Sequence, residues 1–248
     1  MKNIFLVFVV LVFAGCMGKA PVTDRTQVML ISQDEELALG EKGYREFLSK
    51  AKLSTNKVQI SRVRTIGNRI AKAANRPDFK WEFNLVEDKQ INAFCMPGGK
   101  VVVYTGIMDI AKNDDQLATV MAHEVAHALA RHGAERMSHQ QISGVVKQIG
   151  SVLIGSAAPE YSGAFDMAYG YGTQLGVMLP YSRSHEHEAD EIGIHLMKKA
   201  GYNVNEAVIF WKNMKKVKEG KAPPEFLSTH PSDDNRIQRI SEIIKKIN

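Results

Sequence analysis

The sequence predicts a mostly helical α+β domain with one small sheet. Apolar residues recur at helical spacing through most of the chain, and β-rich runs are confined to 81–104. No repeat or linker divides the chain after residue 32. The 248 residues are 44% hydrophobic and 24% charged, enough apolar material for one sizeable core, which excludes a disordered chain. Only 19 Gly and 8 Pro exclude collagen-like architecture, and two cysteines exclude a disulfide framework. The net charge of +5 forms no dense basic block, so nucleic acid is not an expected partner.

The N-terminus reads as an address. Lys2 precedes a continuous apolar run, Ile4 to Phe13, and small residues Ala14 and Gly15 stand before Cys16. At about fifteen uncharged residues the run is shorter than the roughly twenty that a spanning helix needs, so 1–15 is expected to be a signal peptide. Phe13-Ala14-Gly15-Cys16 resembles a bacterial lipobox, in which Cys16 carries the lipid. Residues 16–31 are then a lipid-attached tether, and 32–248 a single domain. Met17 after the cysteine resembles the outer-membrane sorting pattern. Cys95 is left as a lone thiol, more often a small buried hydrophobe than a catalyst.

Ser32-Gln33-Asp34-Glu35 is a capping box opening the first helix, with Leu37, Gly40, Tyr44, Phe47 and Leu48 at helical spacing. A second helix carries Val58, Val63, Ile66 and Ile70 and stops before Pro77. Trp81, Phe83 and Leu85 alternate as in a half-buried strand. Two further β-rich runs, 91–96 and 101–104, are joined by Pro97-Gly98-Gly99, a hairpin signal. Asn113 or Asp114 caps a helix running to Gly133. The weakly charged, glycine-broken stretch 145–181 is expected as one or two helices packed closely on the core. Helices at about 183–200 and 205–218 follow, and a last amphipathic helix carries Ile237, Ile240, Ile243 and Ile244.

Chemistry is concentrated at His123-Glu124-Val125-Ala126-His127. Residues four apart share one helix face, so both imidazoles can reach a single Zn²⁺. Glu124 can instead act as general base. Such a match arises by chance about once in sixty chains of this composition, and here it sits on an apolar helix flanked by Leu117, Val120, Met121 and Leu129. A catalytic zinc needs a third protein ligand, and 185–190 offers several. Glu186 and Asp190 share a face, the one to bind and the other to support, but spacing leaves His185 and His187 equally plausible.

His123 to Gly133 resembles the active-site helix of metallopeptidase family 48, which includes CAAX prenyl proteases, the stress protease HtpX, the Oma proteases and small periplasmic lipoproteins. Three other stretches match it: Ile91-Asn92-Ala93-Phe94 with Pro97-Gly98-Gly99, Tyr181 to Asp190, and Phe226-Leu227-Ser228-Thr229-His230-Pro231. The resemblance runs from about Asp34 to the C-terminus. It implies a gluzincin-type fold with a central helix, one Zn²⁺ held by His123, His127 and Glu186, and Asp190 behind Glu186. It also brings a downstream His or Arg near the metal. His230 and Arg236 are the candidates, as oxyanion donors, or His230 alone as a plug on the fourth zinc position. An extended substrate would add to the strand after the Gly-Gly turn, contacting Gly99, Val101 and Val103, with Asn92 orienting its backbone. The expected function is a zinc metalloendopeptidase for misfolded or misassembled envelope proteins, periplasm-facing and lipid-anchored. The alternative is an assembly factor or chaperone with latent protease activity, worked by an adaptor or by assembly machinery.

Overall fold

The computed structural model describes residues 17–20, 22–174, 178–218, 225–231 and 234–247. The signal peptide and Cys16 lie outside the described residues. The segment expected as a tether is folded: β1 (Met17–Lys19) and β2 (Thr26–Val28) form an antiparallel hairpin, with Ala20 and Gln27 buried against the domain. The folded unit thus reaches back at least to residue 17.

Helix α1 (Gln33–Lys50) opens as the capping box predicts, Ser32 Oγ accepting from the Glu35 amide at 3.2 Å. Helix α2 (Lys57–Ala74) is capped by Asn56 and ends on Asn75 in the left-handed region, at φ 52°. Three strands follow: β3 (Glu82–Val86), β4 (Ala93–Met96) and β5 (Lys100–Tyr104). The spatial order is β3-β5-β4, with β5 parallel to β3 and antiparallel to β4. The last strand in sequence is therefore central, and β3 and β4 are the two edges.

This overturns the expected substrate edge. Val101 and Val103 are fully buried and their strand is paired on both sides, so neither is available to a substrate backbone. Gly99 serves packing instead: at φ 81°, a Cβ there would lie 2.6 Å from the Trp81 ring. Every β5 residue is buried because the sheet is covered on both faces. Val101 and Val103 face the main core, while Val102 and Tyr104 join Tyr44 of α1.

Helix α3 (Asp114–Leu129) runs through the middle of the core, buried at every position except Asp114, Asp115 and His127. Its start is fixed by Asn113 Oδ1, which accepts from the Gln116 amide at 2.8 Å. Its end is fixed by Arg131 at φ 58°, a non-glycine in the left-handed region held by Glu36 at 2.5 Å and the Ile31 carbonyl at 3.0 Å. Helix α4 (His132–Ala157) starts from that corner. Helices α5 (Ser162–Thr173), α6 (Leu179–Lys199), α7 (Glu206–Lys218), α8 (Glu225–Thr229) and α9 (Asp234–Ile247) complete the chain.

The stretch 145–174 departs from expectation. α4 leaves the core after Ser138, and Val145, Val146, Ile149, Val152 and Leu153 are all exposed. α5 folds back on α4 rather than on the core: the Phe165 ring seats over Gly150, and the Tyr169 hydroxyl donates to the Ser143 carbonyl at 2.8 Å. Gly150 gives the Phe165 ring its seat, while the other glycines of these two helices have open space beside them. Among the described residues, no helix is long and apolar enough to cross a membrane.

Close packing of α2 on the sheet gives a direct test. A Cβ on Gly67 would come within 2.3 Å of the Phe83 ring, which is itself buried. Gly67→Ala should destabilise the protein by about 1–3 kcal/mol through overpacking, despite the better helix propensity of alanine. Denaturant unfolding of the two proteins measures this, and equal midpoints would refute the close approach.

Candidate metal centre and active site

Two helices bring the principal groups together. α3 presents His123, Glu124 and His127, and α6 presents Glu186 and Asp190 across from them. The helices can approach because the crossing is lined by Ala122, Ala126, Ala189 and Gly193. A Cβ on Gly193 would lie 3.3 Å from the His123 backbone. His230 arrives from the turn after α8, its amide hydrogen-bonded to the Phe226 carbonyl at 2.8 Å and its ring against that of Phe226.

Four donor atoms converge. His123 Nε2 lies 3.2 Å from His127 Nε2 and 3.3 Å from a Glu186 carboxylate oxygen. His127 Nε2 is 3.3 Å from the other Glu186 oxygen. His230 Nδ1 lies 3.1 Å from His123 Nε2 and 3.0 Å from Glu186. A tetrahedral ion with bonds of about 2.0–2.1 Å requires donor separations of about 3.3 Å. The observed separations are close to that value and all four donor atoms lie within 4.8 Å of one another, so three imidazole nitrogens and a carboxylate form a group that could hold one metal ion. Three imidazoles and a carboxylate gathered inside a protein need a partner to offset their lost hydration, and a bound cation would supply it.

Each ligand is oriented from behind. His123 Nδ1 is 3.1 Å from Asp190, which takes a bidentate pair from Arg236 at 2.7 and 2.8 Å. Arg236 is committed to this support: it is buried, its guanidinium lies 3.5 Å over the Trp211 ring and 3.3 Å from both His123 Nε2 and Glu186, and it is not among the residues that line the cleft. His185 and His187, open alternatives by spacing, are turned elsewhere. His185 stacks on His132 with ring centroids 4.0 Å apart, and His187 lines a separate groove beside Arg25.

The donor set opens onto a cleft of about 670 Å³, lined in part by Asn92, Cys95, Glu124, His127, Glu186 and His230. Glu124 is buried, and its Oε1 has no hydrogen-bond partner, lying 3.5 Å from His230 Nε2. Burial raises the Glu124 carboxyl above its ordinary range. Glu186 behaves oppositely: burial alone would raise it, but hydrogen bonds from His123, His127 and His230 hold it far below the usual carboxylate range. Burial drives the His127 imidazole well down, which suits a neutral ligand. One buried carboxylate biased to take a proton thus stands beside one fixed as an anion, the pairing that acid–base work at a metal requires.

A second polar cluster, not expected from local patterns, lies behind His127. His132, Glu135, His185 and Glu188 are all buried, with Arg25 of the N-terminal hairpin bridging Glu135 and Glu188. His132 begins α4, its Nδ1 2.8 Å from His127 Nδ1 and its Nε2 2.8 Å from Glu188. Arg25 pairs across 110 and 163 residues, a separation that no local pattern reveals.

The peptidase family M48 model matches residues 58–244. The mitochondrial metalloendopeptidase OMA1 of Schizosaccharomyces pombe is 34% identical over 230 residues, covering 90% of this chain and 65% of that protein. OMA1 of Saccharomyces cerevisiae is 32% identical, covering 97% of this chain and 75% of that one. The β-barrel assembly-enhancing protease of Escherichia coli K12 is 30% identical over 229 residues, 91% of this chain but 47% of its own. The chain thus spans less than two thirds of the first of these relatives and about half of the third. With the family model covering most of the chain and the donor set and glutamate in one cleft, this protein belongs to peptidase family M48.

Proposed function

We propose that this chain is a zinc-dependent metalloendopeptidase that hydrolyses peptide bonds of misfolded or misassembled proteins in a bacterial envelope. The observation that carries this is the buried Glu124, which lines the cleft beside the four-donor cluster with no hydrogen bond to its Oε1. Zinc held by His123, His127 and Glu186 would supply Lewis acidity, polarising a carbonyl and making water acidic near neutral pH. Glu124 accepts the proton of the attacking water, favoured by its raised affinity for protons, and delivers it to the departing amine nitrogen. Asp190, backed by Arg236, keeps the His123 ring turned so that Nε2 faces the centre.

Substrate recognition belongs to the sheet edge beside this centre. β4 is that edge, and Asn92 to Cys95 form one wall of the cleft. An extended substrate adding to β4 would be read through its backbone, which tolerates many sequences and suits unfolded chains. Asn92, at the head of the strand, is the residue to orient it. The E. coli relative's name ties that protein to β-barrel assembly, which supports an envelope setting and assembly machinery as a partner. A lipid on Cys16 would anchor the enzyme to the outer membrane, with the folded hairpin starting at the next residue.

His230 has two roles to choose between, oxyanion donor or plug. Nitrogen at 3.0 and 3.1 Å from two other donors favours the plug. A fourth protein donor closes the coordination sphere that catalysis needs open, so cleavage waits until the turn after α8 swings away. The same closure favours the second reading, an assembly factor whose protease activity is latent and released by an adaptor.

Glu124→Gln should retain zinc while casein cleavage falls by about 10³-fold or more, measured by metal content and peptide release; undiminished cleavage would sink the base assignment. His230→Ala should keep most of its zinc and cleave casein several-fold faster than the parent if His230 is a plug. A dead His230→Ala enzyme would instead make it a donor to the reacting carbonyl. For the third ligand, Glu186→Gln should lose zinc on dialysis while His187→Ala keeps it, and the reverse pattern would reassign the site.

A further inference from the structure

We infer that His132 is a positioning residue for His127, and that the N-terminal hairpin is the far end of the hydrogen-bond relay that holds it. The inference rests on the metal-centre reading above and extends it to residues outside the donor set. It starts from an asymmetry. His123 has a carboxylate behind it, Asp190, itself clamped by Arg236. His127 has no carboxylate at its Nδ1. It has a second imidazole, His132, at 2.8 Å.

Two imidazole nitrogens at that distance must share one proton, because neither two N–H groups nor two lone pairs attract each other. With His127 Nε2 facing the donor set, its proton resides on Nδ1, which donates to His132 Nδ1. The remaining proton of His132 then sits on Nε2 and donates to Glu188 at 2.8 Å. The relay therefore ends, one ring later, in the same kind of group that supports His123. Glu188 accepts from Arg25 Nε at 2.8 Å and from the Thr23 hydroxyl, both in the loop between β1 and β2. The two ligand histidines thus have matching supports, each a carboxylate fixed by an arginine, the second lengthened by one imidazole.

The packing leaves His132 little freedom. Its ring stacks on His185, with planes 11° apart, and His185 Nε2 in turn meets Glu135 at 3.1 Å. Glu135 and Glu188 are both buried carboxylates, and Arg25 bonds both, its Nη atoms reaching Glu135 at 2.9 and 2.7 Å. Gln27 of β2 adds a bond to Glu135 at 3.0 Å. Removing the hairpin's cation would leave two buried carboxylates facing each other. The first folded residues after Cys16 are therefore part of the machinery that orients a metal ligand.

The test uses the full chain, with zinc affinity measured by chelator competition and the Co²⁺ absorption bands recorded after substitution. Wild type that binds no zinc would overturn the metal-centre reading itself; the relay is judged on variants once wild type binds. His132→Phe keeps the ring volume but accepts no proton, and should weaken zinc binding by about 10–100-fold and shift the cobalt bands. His132→Asn, whose Oδ1 stands where Nδ1 accepted, should recover most of both. Arg25→Met should weaken binding in the same direction by a smaller factor. Wild-type affinity and cobalt bands in His132→Phe, or an Asn variant as weak as Phe, would overturn the relay. Should His132→Phe fail to fold, Arg25→Met decides: wild-type affinity and bands there also overturn it.

Discussion

Four lone-pair donors, from His123, His127, Glu186 and His230, face one another inside a largely apolar interior, and much of the surrounding structure answers that crowding. Polar groups taken out of water destabilise a fold unless each is partnered. The partners are supplied from distant parts of the chain: Asp190 and Arg236 on one side, His132, Glu188 and Arg25 on the other. The small residues where α3 crosses α6 exist to the same end, since a bulkier residue than Gly193 would push His123 away from Glu186. The C-terminal helix and the N-terminal hairpin look peripheral, yet each contributes the arginine that fixes one ligand histidine.

What the sequence made legible was whatever repeats locally. The capping box at Ser32, the periodic stripe of α2 and the two histidines four apart on a buried helix all depend on neighbours within a turn or two. Glu186 and Asp190 were readable as one face of a helix, though only the family resemblance chose Glu186 over His185 and His187. Strand order was not readable. The hairpin signal at Pro97-Gly98-Gly99 fixes that β4 and β5 pair, but the parallel contact of β3 with β5 depends on a crossover, and it moved the free edge from Val101 and Val103 to β4. Arg25 was missed because its pairs span more than a hundred residues, and His132 and Glu135 because their partners Glu188 and His185 lie on another helix, 56 and 50 residues on. The low charge of 145–174 was visible. That its helices would pair through Phe165 and Tyr169 and leave much of their apolar surface exposed was not, because composition does not name a partner.

Function rests on how these parts divide labour. α3 and α6 are rigid and carry the donors and the base. The sheet edge β4 lines the same cleft, so a bound backbone and the base share one space. His230 sits on a short turn after α8, a location easier to move than a buried helix, which is where a latch is best placed.

X-ray absorption at the zinc edge of the purified, zinc-loaded full chain tests the central claim most directly. The account predicts one zinc per chain in a four-coordinate shell of three imidazole nitrogens and one carboxylate oxygen at about 2.0–2.1 Å. Sulfur in that shell, or a shell of oxygens with at most one imidazole, would contradict it, because no ion could then be seated among His123, His127, Glu186 and His230.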